Sequence, residues 1–306
     1  MPASQTPCLE REKTLSSVMA ETFTSVASGP VDQIQETLLS RIESGQLRLP
    51  LLPQVANQVL MLTSDPQADA TRLAGLIQQD QALATQILKI ANSPAYMPRT
   101  PIVSLQQAVA WLGMKLLSDL ALTVSIQNGV FRVRGYETEI AGLWCHALAS
   151  GLFAKEIARH NRQNVESAFL SGLLHTIGKP VVLEAIIDIQ ENLSLSLEWK
   201  QLDGLLNAHH AQVGARVTER WGLPDLVKDA ILFYDHYKDS PKSQKGAMIT
   251  CLADHLATAL LSSQGWDEAS LGQLPVIQDL NFYAEDITSL MAHGDMIIKS
   301  VNAMCL

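Results

Sequence analysis

The chain has 306 residues, 47% hydrophobic and 17% charged, so it can bury a large core and is neither disordered nor fibrous. A formal net charge of -9 opposes non-specific binding to nucleic acid and to anionic lipid. Aromatic residues make up only 5%, while helix-forming Leu, Ala and Gln are abundant, which favours an all-α fold.

Residues 1–28 are small and polar, and we interpret them as a flexible N-terminal tail. The chain shows no signal-peptide pattern, and no uncharged apolar run is long enough to cross a bilayer. The four cysteines show no CxxC spacing and no disulfide framework, and we interpret Cys145 and Cys251 as small buried hydrophobic residues. These features predict a cytoplasmic protein without a membrane partner.

Residues 31–130 show helical spacing of apolar residues, which predicts an N-terminal helical lobe. The segment LPLLP at 49–53 predicts an extended turn, because a residue before proline is driven out of the α region. Asp80 is predicted to cap the start of a helix. The sequence SLQQ at 104–107 has the pattern of a capping box, in which Ser104 caps the next helix.

Residues 128–139 interrupt the helical pattern and are interpreted as the joint between two lobes. A second helical lobe is predicted over 138–262, and a helical extension over 263–306. No parallel βαβ pattern is found.

The second lobe carries His146, His175, His210, the stretch YDH at 234–236, and Asp254, all on separate predicted helices. Helical bundles build metal sites from side chains on facing helices. Imidazole and carboxylate together suit Fe, Mn, Ni or Zn. The alternative is a hydrogen-bonded polar cluster between helices that needs no metal.

Residues 168–179 (AFLSGLLHTIGK) resemble the core motif of the HD superfamily of metal-dependent phosphohydrolases. Further motifs in the same order are similar to the HDOD subgroup, over about residues 44–261: LPLLP at 49–53, DQAL at 80–83, IANS at 90–93, SLQQA at 104–108, HAQVGA at 210–215 and WGLP at 221–224. The resemblance implies an HD-like helical bundle with an additional N-terminal helical lobe.

The resemblance also implies a metal-ligand set, which comprises His146, His175, His210 and Asp254. Relatives with two metals carry a His pair near residue 235, so Asp235 and His236 are further candidates. A shift of one residue turns a helical side chain by about 100°, and on that basis Asp235 is expected to face the cavity and His236 to miss it.

Thr176 stands where the catalytic relatives have a metal-binding Asp. A hydroxyl supplies no negative charge, so a close metal pair is not expected, and the implied cofactor is at most a single divalent transition metal (Fe, Mn, Ni or Zn). In catalytic relatives a lysine such as Lys179 faces the phosphate; alternatively Lys179 is a solvated cation at a helix C-terminus.

The resemblance favours a non-catalytic signal-transduction module that acts through signalling proteins in a bacterial regulatory pathway. No nucleic-acid partner is expected, and the groove between the lobes could take a small ligand. No catalytic residue is assigned. The alternative is a mononuclear metal-dependent phosphohydrolase that acts on a nucleotide or a cyclic dinucleotide.

Overall fold

The computed structural model describes residues 29–63, 65, 67–262 and 268–305, so the predicted tail at 1–28 lies outside the described residues. The described part is helical throughout and contains no strand, which confirms the predicted all-α class. Its helices are α1 (Pro30–Glu43), α2 (Gln54–Thr63), α3 (Ala70–Gln78), α4 (Gln81–Ala91), α5 (Leu105–Leu112), α6 (Met114–Val130), α7 (Glu137–His160), α8 (Val165–Leu174), α9 (Gly178–Leu193), α10 (Trp199–Arg220), α11 (Asp225–Phe233), a 3-10 helix (Tyr234–Asp239), α12 (Gln244–Leu261), α13 (Glu268–Gly272), α14 (Pro275–Asp279), α15 (Ala284–Met291) and α16 (Gly294–Met304).

Helix starts in the first lobe follow the local sequence signals. The carboxylate of Asp80 accepts from the backbone N–H of Leu83 at 3.0 Å, which confirms the predicted cap of α4. The Ser104 hydroxyl accepts from the N–H of Gln107, as predicted. The side chain of Gln107 accepts from Val103 N–H at 2.8 Å, so the return bond of the predicted capping box is shifted by one residue.

The helices divide into two packed groups, and α1 packs on the second group although it comes first in the chain. Helices α2 to α6 pack on one another, and α7 to α12 form the second group. Helix α1 packs against α9 and α10 of the second group, and α15 and α16 pack against α7. Helix α6 continues to Val130, so the connection between the groups is the short segment 131–136.

Polar contacts tie the two groups together. The Lys155 ammonium on α7 donates to the Asp119 carboxylate on α6 at 2.6 Å, and both side chains are largely buried. The indole N–H of Trp221 donates to the carbonyl oxygen of Pro50 at 3.0 Å, and this contact fixes the extended LPLLP segment against the second group. A buried ion pair is costly to break from one side, so the α6–α7 contact resists separation.

The C-terminal helix is held to α7 by a disulfide between Cys145 and Cys305, whose Cα atoms lie 6.1 Å apart. This pairing corrects the expectation that the cysteines form no disulfide. The partners are 160 residues apart in the chain, so only the tertiary fold brings them together. Cys251 is free and buried, as predicted.

The segment Val165–Leu193, which covers α8 and α9, has the length and hydropathy of a membrane span. Within its most apolar window 72% of the residues are buried inside the protein. The same burial is expected of two core helices of a bundle.

Helices α9 and α10 approach each other most closely at Gly178. A Cβ added at this position would lie 2.0 Å from the carbonyl oxygen of His210 and 2.8 Å from the backbone nitrogen of Gly214. Backbone atoms cannot rotate away as a side chain can, so only glycine allows this contact.

We therefore expect Gly178→Ala to lower the free energy of unfolding by about 3 kcal/mol or more, because the two helices must separate. The matched control is Gly204→Ala on α10, where an added Cβ meets nothing within 4 Å. This control should leave stability unchanged or raise it by about 0.5–1 kcal/mol. Chemical denaturation of the two variants provides the measurement, and equal midpoints would contradict the assignment.

Candidate metal centre

His146 and His175 are brought together by the crossing of α7 and α8. His146 lies on α7, and His175 is the residue that ends α8. The crossing is close because Gly172 faces the α7 backbone, where an added Cβ would lie 2.7 Å from the Ser150 carbonyl oxygen. The two imidazole rings consequently lie with centroids 5.5 Å apart.

Asp254 on α12 joins these two rings. Its Oδ1 atom lies 2.8 Å from His146 Nε2 and 3.0 Å from His175 Nε2. One donor atom from each of the three residues lies within 4.8 Å of the others, and we call this set the three-donor cluster. The structure thus brings together three of the four residues in the predicted ligand set.

The hydrogen bond made by one ring nitrogen of His175 determines what the other nitrogen presents to the cluster. This ring is fully buried, and its Nδ1 donates to the carbonyl oxygen of Gly172 at 2.7 Å. A neutral imidazole has a single N–H, so Nε2 then carries a lone pair and faces the carboxylate oxygen of Asp254. A cation that binds both the nitrogen lone pair and the carboxylate oxygen would make this contact favourable.

Burial and the neighbouring imidazoles shift the pKa of Asp254 in opposite directions. Burial alone would raise the pKa of this carboxyl, but the interactions of its Oδ1 atom with His146 and His175 outweigh burial and hold the pKa well below its usual range. Burial lowers the pKa of His146, although its bond to Asp254 opposes the shift. Asp254 is therefore a carboxylate at neutral pH, the state in which it binds a cation.

His210, the fourth predicted ligand, is bound to Tyr234 instead. Its Nδ1 lies 3.0 Å from the carbonyl oxygens of Leu206 and Asn207, to which it donates, so its Nε2 accepts from the Tyr234 hydroxyl at 2.9 Å. Burial lowers the pKa of His210 to about 4, with a smaller contribution from Lys179, so the ring is neutral. The lone pair that would bind a metal is already in use.

The ring of Tyr234 contacts both neighbouring imidazoles. Its centroid lies 5.1 Å from that of His175 and 6.0 Å from that of His210. Burial raises the pKa of its phenol, which therefore stays protonated and donates. Sequence reasoning noted the YDH stretch but missed Tyr234; the signal was a bulky hydroxyl-bearing residue beside the position where relatives carry histidine.

Asp235 and His236 lie away from the three-donor cluster. Their side chains are 60% and 48% exposed, and they contact each other. The prediction for Asp235 assumed a continuous α-helix, but the segment is a 3-10 helix with a non-helical backbone at His236. Neither residue belongs to the three-donor cluster, and the exposed side chain of Asp235 corrects the expectation that it faces the cavity.

Two residues that follow His175 in the chain, Thr176 and Lys179, were also considered in the sequence analysis. Lys179 lies in the first turn of α9 and is partly buried, which corrects the alternative that it is a solvated cation at a helix C-terminus. It lies close enough to Asp254 and His146 to interact electrostatically, and burial lowers the pKa of its ammonium. The hydroxyl of Thr176 is buried and has no hydrogen-bond partner among the described residues. The structure therefore places a partly buried cation and an unpaired buried hydroxyl beside the three donors.

The three-donor cluster fits a single divalent transition-metal ion. Two imidazole nitrogens and one carboxylate oxygen suit Fe, Ni or Zn, and three protein ligands leave a coordination position open. Such an ion would bind His175 through the lone pair on its Nε2 atom. The alternative from the sequence, a hydrogen-bonded polar cluster that needs no metal, would use the same three residues.

Comparison with known proteins adds the following findings. A sequence profile of the HDOD domain matches residues 49–237. An uncharacterised protein of Treponema pallidum (strain Nichols) is 26% identical over 227 residues, which are 71% of this chain and 43% of that protein. The chain therefore spans less than half the length of this curated relative.

Two solved structures have similar folds. A Shewanella amazonensis SB2B protein, provisionally described as a metal-dependent phosphohydrolase, is 19% identical, with a TM-score of 0.66 over 91% of this chain and 99% of its own. A Marinobacter aquaeolei VT8 protein, provisionally described as a signal transduction protein, is 23% identical, with a TM-score of 0.65 over 92% of this chain and 68% of its own. At these identities the similarity is one of fold.

Replacing Tyr234 by Phe should lower the free energy of unfolding by about 1–3 kcal/mol, because the buried Nε2 of His210 loses its donor. Tyr283→Phe is the control, since that side chain is 76% exposed and the change should cost less than about 0.5 kcal/mol. Urea denaturation measures the free energy of unfolding of both variants. If Tyr234→Phe unfolds at the same urea concentration as the control, the bond to His210 does not stabilise the fold.

Proposed function

This chain belongs to the HDOD domain family, and from that premise we propose that it is a signal-transduction module that acts through protein partners rather than by hydrolysing phosphate esters. The observation that supports this proposal is the loss of donors around the second metal position. Thr176 offers no carboxylate, and the His210 lone pair is occupied by the Tyr234 hydroxyl. A two-metal site needs anionic oxygen between its cations.

Charge supports the same conclusion. The three-donor cluster contains one carboxylate, that of Asp254, and the Lys179 ammonium lies nearby. Two divalent ions would bring four positive charges to this partly buried place, and a buried charge without compensation is strongly unfavourable. One ion is compatible with the donor set, and two are not.

A second candidate function is a mononuclear metal-dependent phosphohydrolase. The observation that favours it is the three-donor cluster itself with Lys179 beside it. A bound metal would supply a Lewis acid that lowers the pKa of its water. In this reading His146, His175 and Asp254 hold the ion, and Lys179 attracts the phosphate of a nucleotide or a cyclic dinucleotide.

Metal analysis and a phosphodiesterase assay on the same preparation separate the two functions. We expect no more than one Fe, Mn, Ni or Zn per chain, lost in His175→Ala because a ligand is removed, and no turnover of bis-p-nitrophenyl phosphate. His236→Ala removes an exposed histidine and should leave metal content unchanged. Turnover that disappears in His175→Ala but not in His236→Ala would establish the hydrolase and exclude the non-catalytic proposal.

The partner surface is proposed to include the groove between the lobes. This groove has a volume of about 790 Å³ and is lined by Met61 and Met114 from one lobe and Leu170, Trp221 and Pro224 from the other. The side chain of Met61 is 68% exposed. Flexible methionines that line an apolar groove adapt well to partner side chains. We further propose that the partners are cytoplasmic signalling proteins and that nucleic acid is not among them.

Capture of a partner from an extract of the source cells tests this surface. Met61→Glu is expected to reduce the captured amount at least about tenfold, because a charge must be desolvated in the groove. Met296→Glu is the matched control, since that methionine is 64% exposed on α16 and does not line the groove. Equal capture by both variants would place the partner surface elsewhere.

A further inference from the structure

A second cleft lies in the first lobe and uses no residue of the three-donor cluster. Its volume is about 1370 Å³, and its walls come from α2, α4 and the end of α6, with Ala303 of α16 at one side. Sites for small molecules usually measure roughly 300–1,000 Å³. This cleft therefore has room for a ligand of nucleotide size.

The lining of the cleft is rich in side-chain amides. Seven of the described side chains that line it are amides of Gln or Asn. Three of them are bonded within the protein, and the other four offer both donors and an acceptor, the combination that pairs with the edges of heterocyclic bases: Gln54, Gln58, Gln79 and Gln81. Asp80 is the carboxylate among the lining residues, and it already accepts from the backbone of Leu83 as the cap of α4.

Two exposed cationic side chains line the same cleft. Lys89 and Arg132 line the cleft, and neither forms an ion pair with a carboxylate in the part of the chain that the structure describes. Arg132 donates to the Asn128 side chain at 2.7 Å, and Asn128 donates to Gln86 at 3.3 Å. This chain of bonds holds the guanidinium at the cleft, in a protein whose net charge of -9 otherwise repels anions.

The wall that carries Asn128 is fixed by a close backbone contact. Gly129 follows Asn128 at the end of α6, and an added Cβ there would lie 2.7 Å from the Pro53 ring. The last turn of α6 thus packs directly on the extended LPLLP segment, and this contact fixes the wall of the cleft. A site with a fixed wall loses less entropy when it binds a ligand.

We propose that this cleft binds a nucleotide, with Lys89 and Arg132 on its phosphates and the amides on its base. The guanidinium matches phosphate geometry through paired N–H donors, and lysine adds a second positive charge. A surface for nucleic acid would need a basic stripe, whereas this site is concave and has two cations. The site goes beyond the proposed function, because the signalling role and the metal centre need none of its residues.

Calorimetric titration of the full chain with ATP, GTP, CTP and UTP, without added metal, tests the proposal. At least one triphosphate should bind, and its nucleoside and inorganic pyrophosphate should each bind at least about tenfold more weakly, because each lacks half of the contacts. If no triphosphate binds, or if pyrophosphate binds as tightly as the nucleotide, the proposal is overturned.

Substitutions assign the binding to the cleft. Lys89→Gln and Arg132→Gln should each weaken it at least about tenfold, since each removes a charged donor to phosphate. Arg99→Gln is the control, because Arg99 is exposed and does not line the cleft. His175→Ala should leave the affinity unchanged; a loss of binding there, with none in the two cleft variants, would move the nucleotide to the metal centre.

Discussion

A single carboxylate oxygen, Oδ1 of Asp254, is shared by imidazoles from two other segments of the second lobe. A buried carboxylate is strongly unfavourable unless it is paired, so α12 must be held where both rings reach it. Gly172 lets α8 cross directly against the α7 backbone, and this crossing brings His146 and His175 to the same side of Asp254. The close packing of α7 on α8 and the position of the cluster are therefore linked.

Tyr234 completes the hydrogen bonding of the buried ring of His210. A buried imidazole needs a partner for each nitrogen, and His210 finds carbonyl oxygens on one side and the phenol on the other. The tyrosine thus supplies the donor that the Nε2 atom of this ring needs. Thr176 adds no negative charge nearby, and for this reason the proposed function includes no second cation.

Local signals predicted the helices well and the site only in part. The Asp80 cap and the LPLLP break depend on a few adjacent residues, and the structure contains both. The convergence of His146, His175 and Asp254 depends on helix crossings, which spacing alone does not reveal, and family resemblance supplied it. Asp235 was misplaced because a 3-10 turn replaces the expected α-helix, and the Cys145–Cys305 pair joins positions that no local pattern connects.

Helix α6 connects the two regions to which a function is assigned. Its C-terminal end carries Asn128 in the wall of the amide-rich cleft, and its middle carries Asp119, which pairs with Lys155 of α7. Helix α7 in turn carries His146 of the three-donor cluster. Because a largely buried ion pair resists stretching, a displacement of α6 must either move α7 or break that pair. Two sites joined through such a contact can influence each other only if their ligands favour different positions of α6, and the proposed signalling role depends on such differential binding.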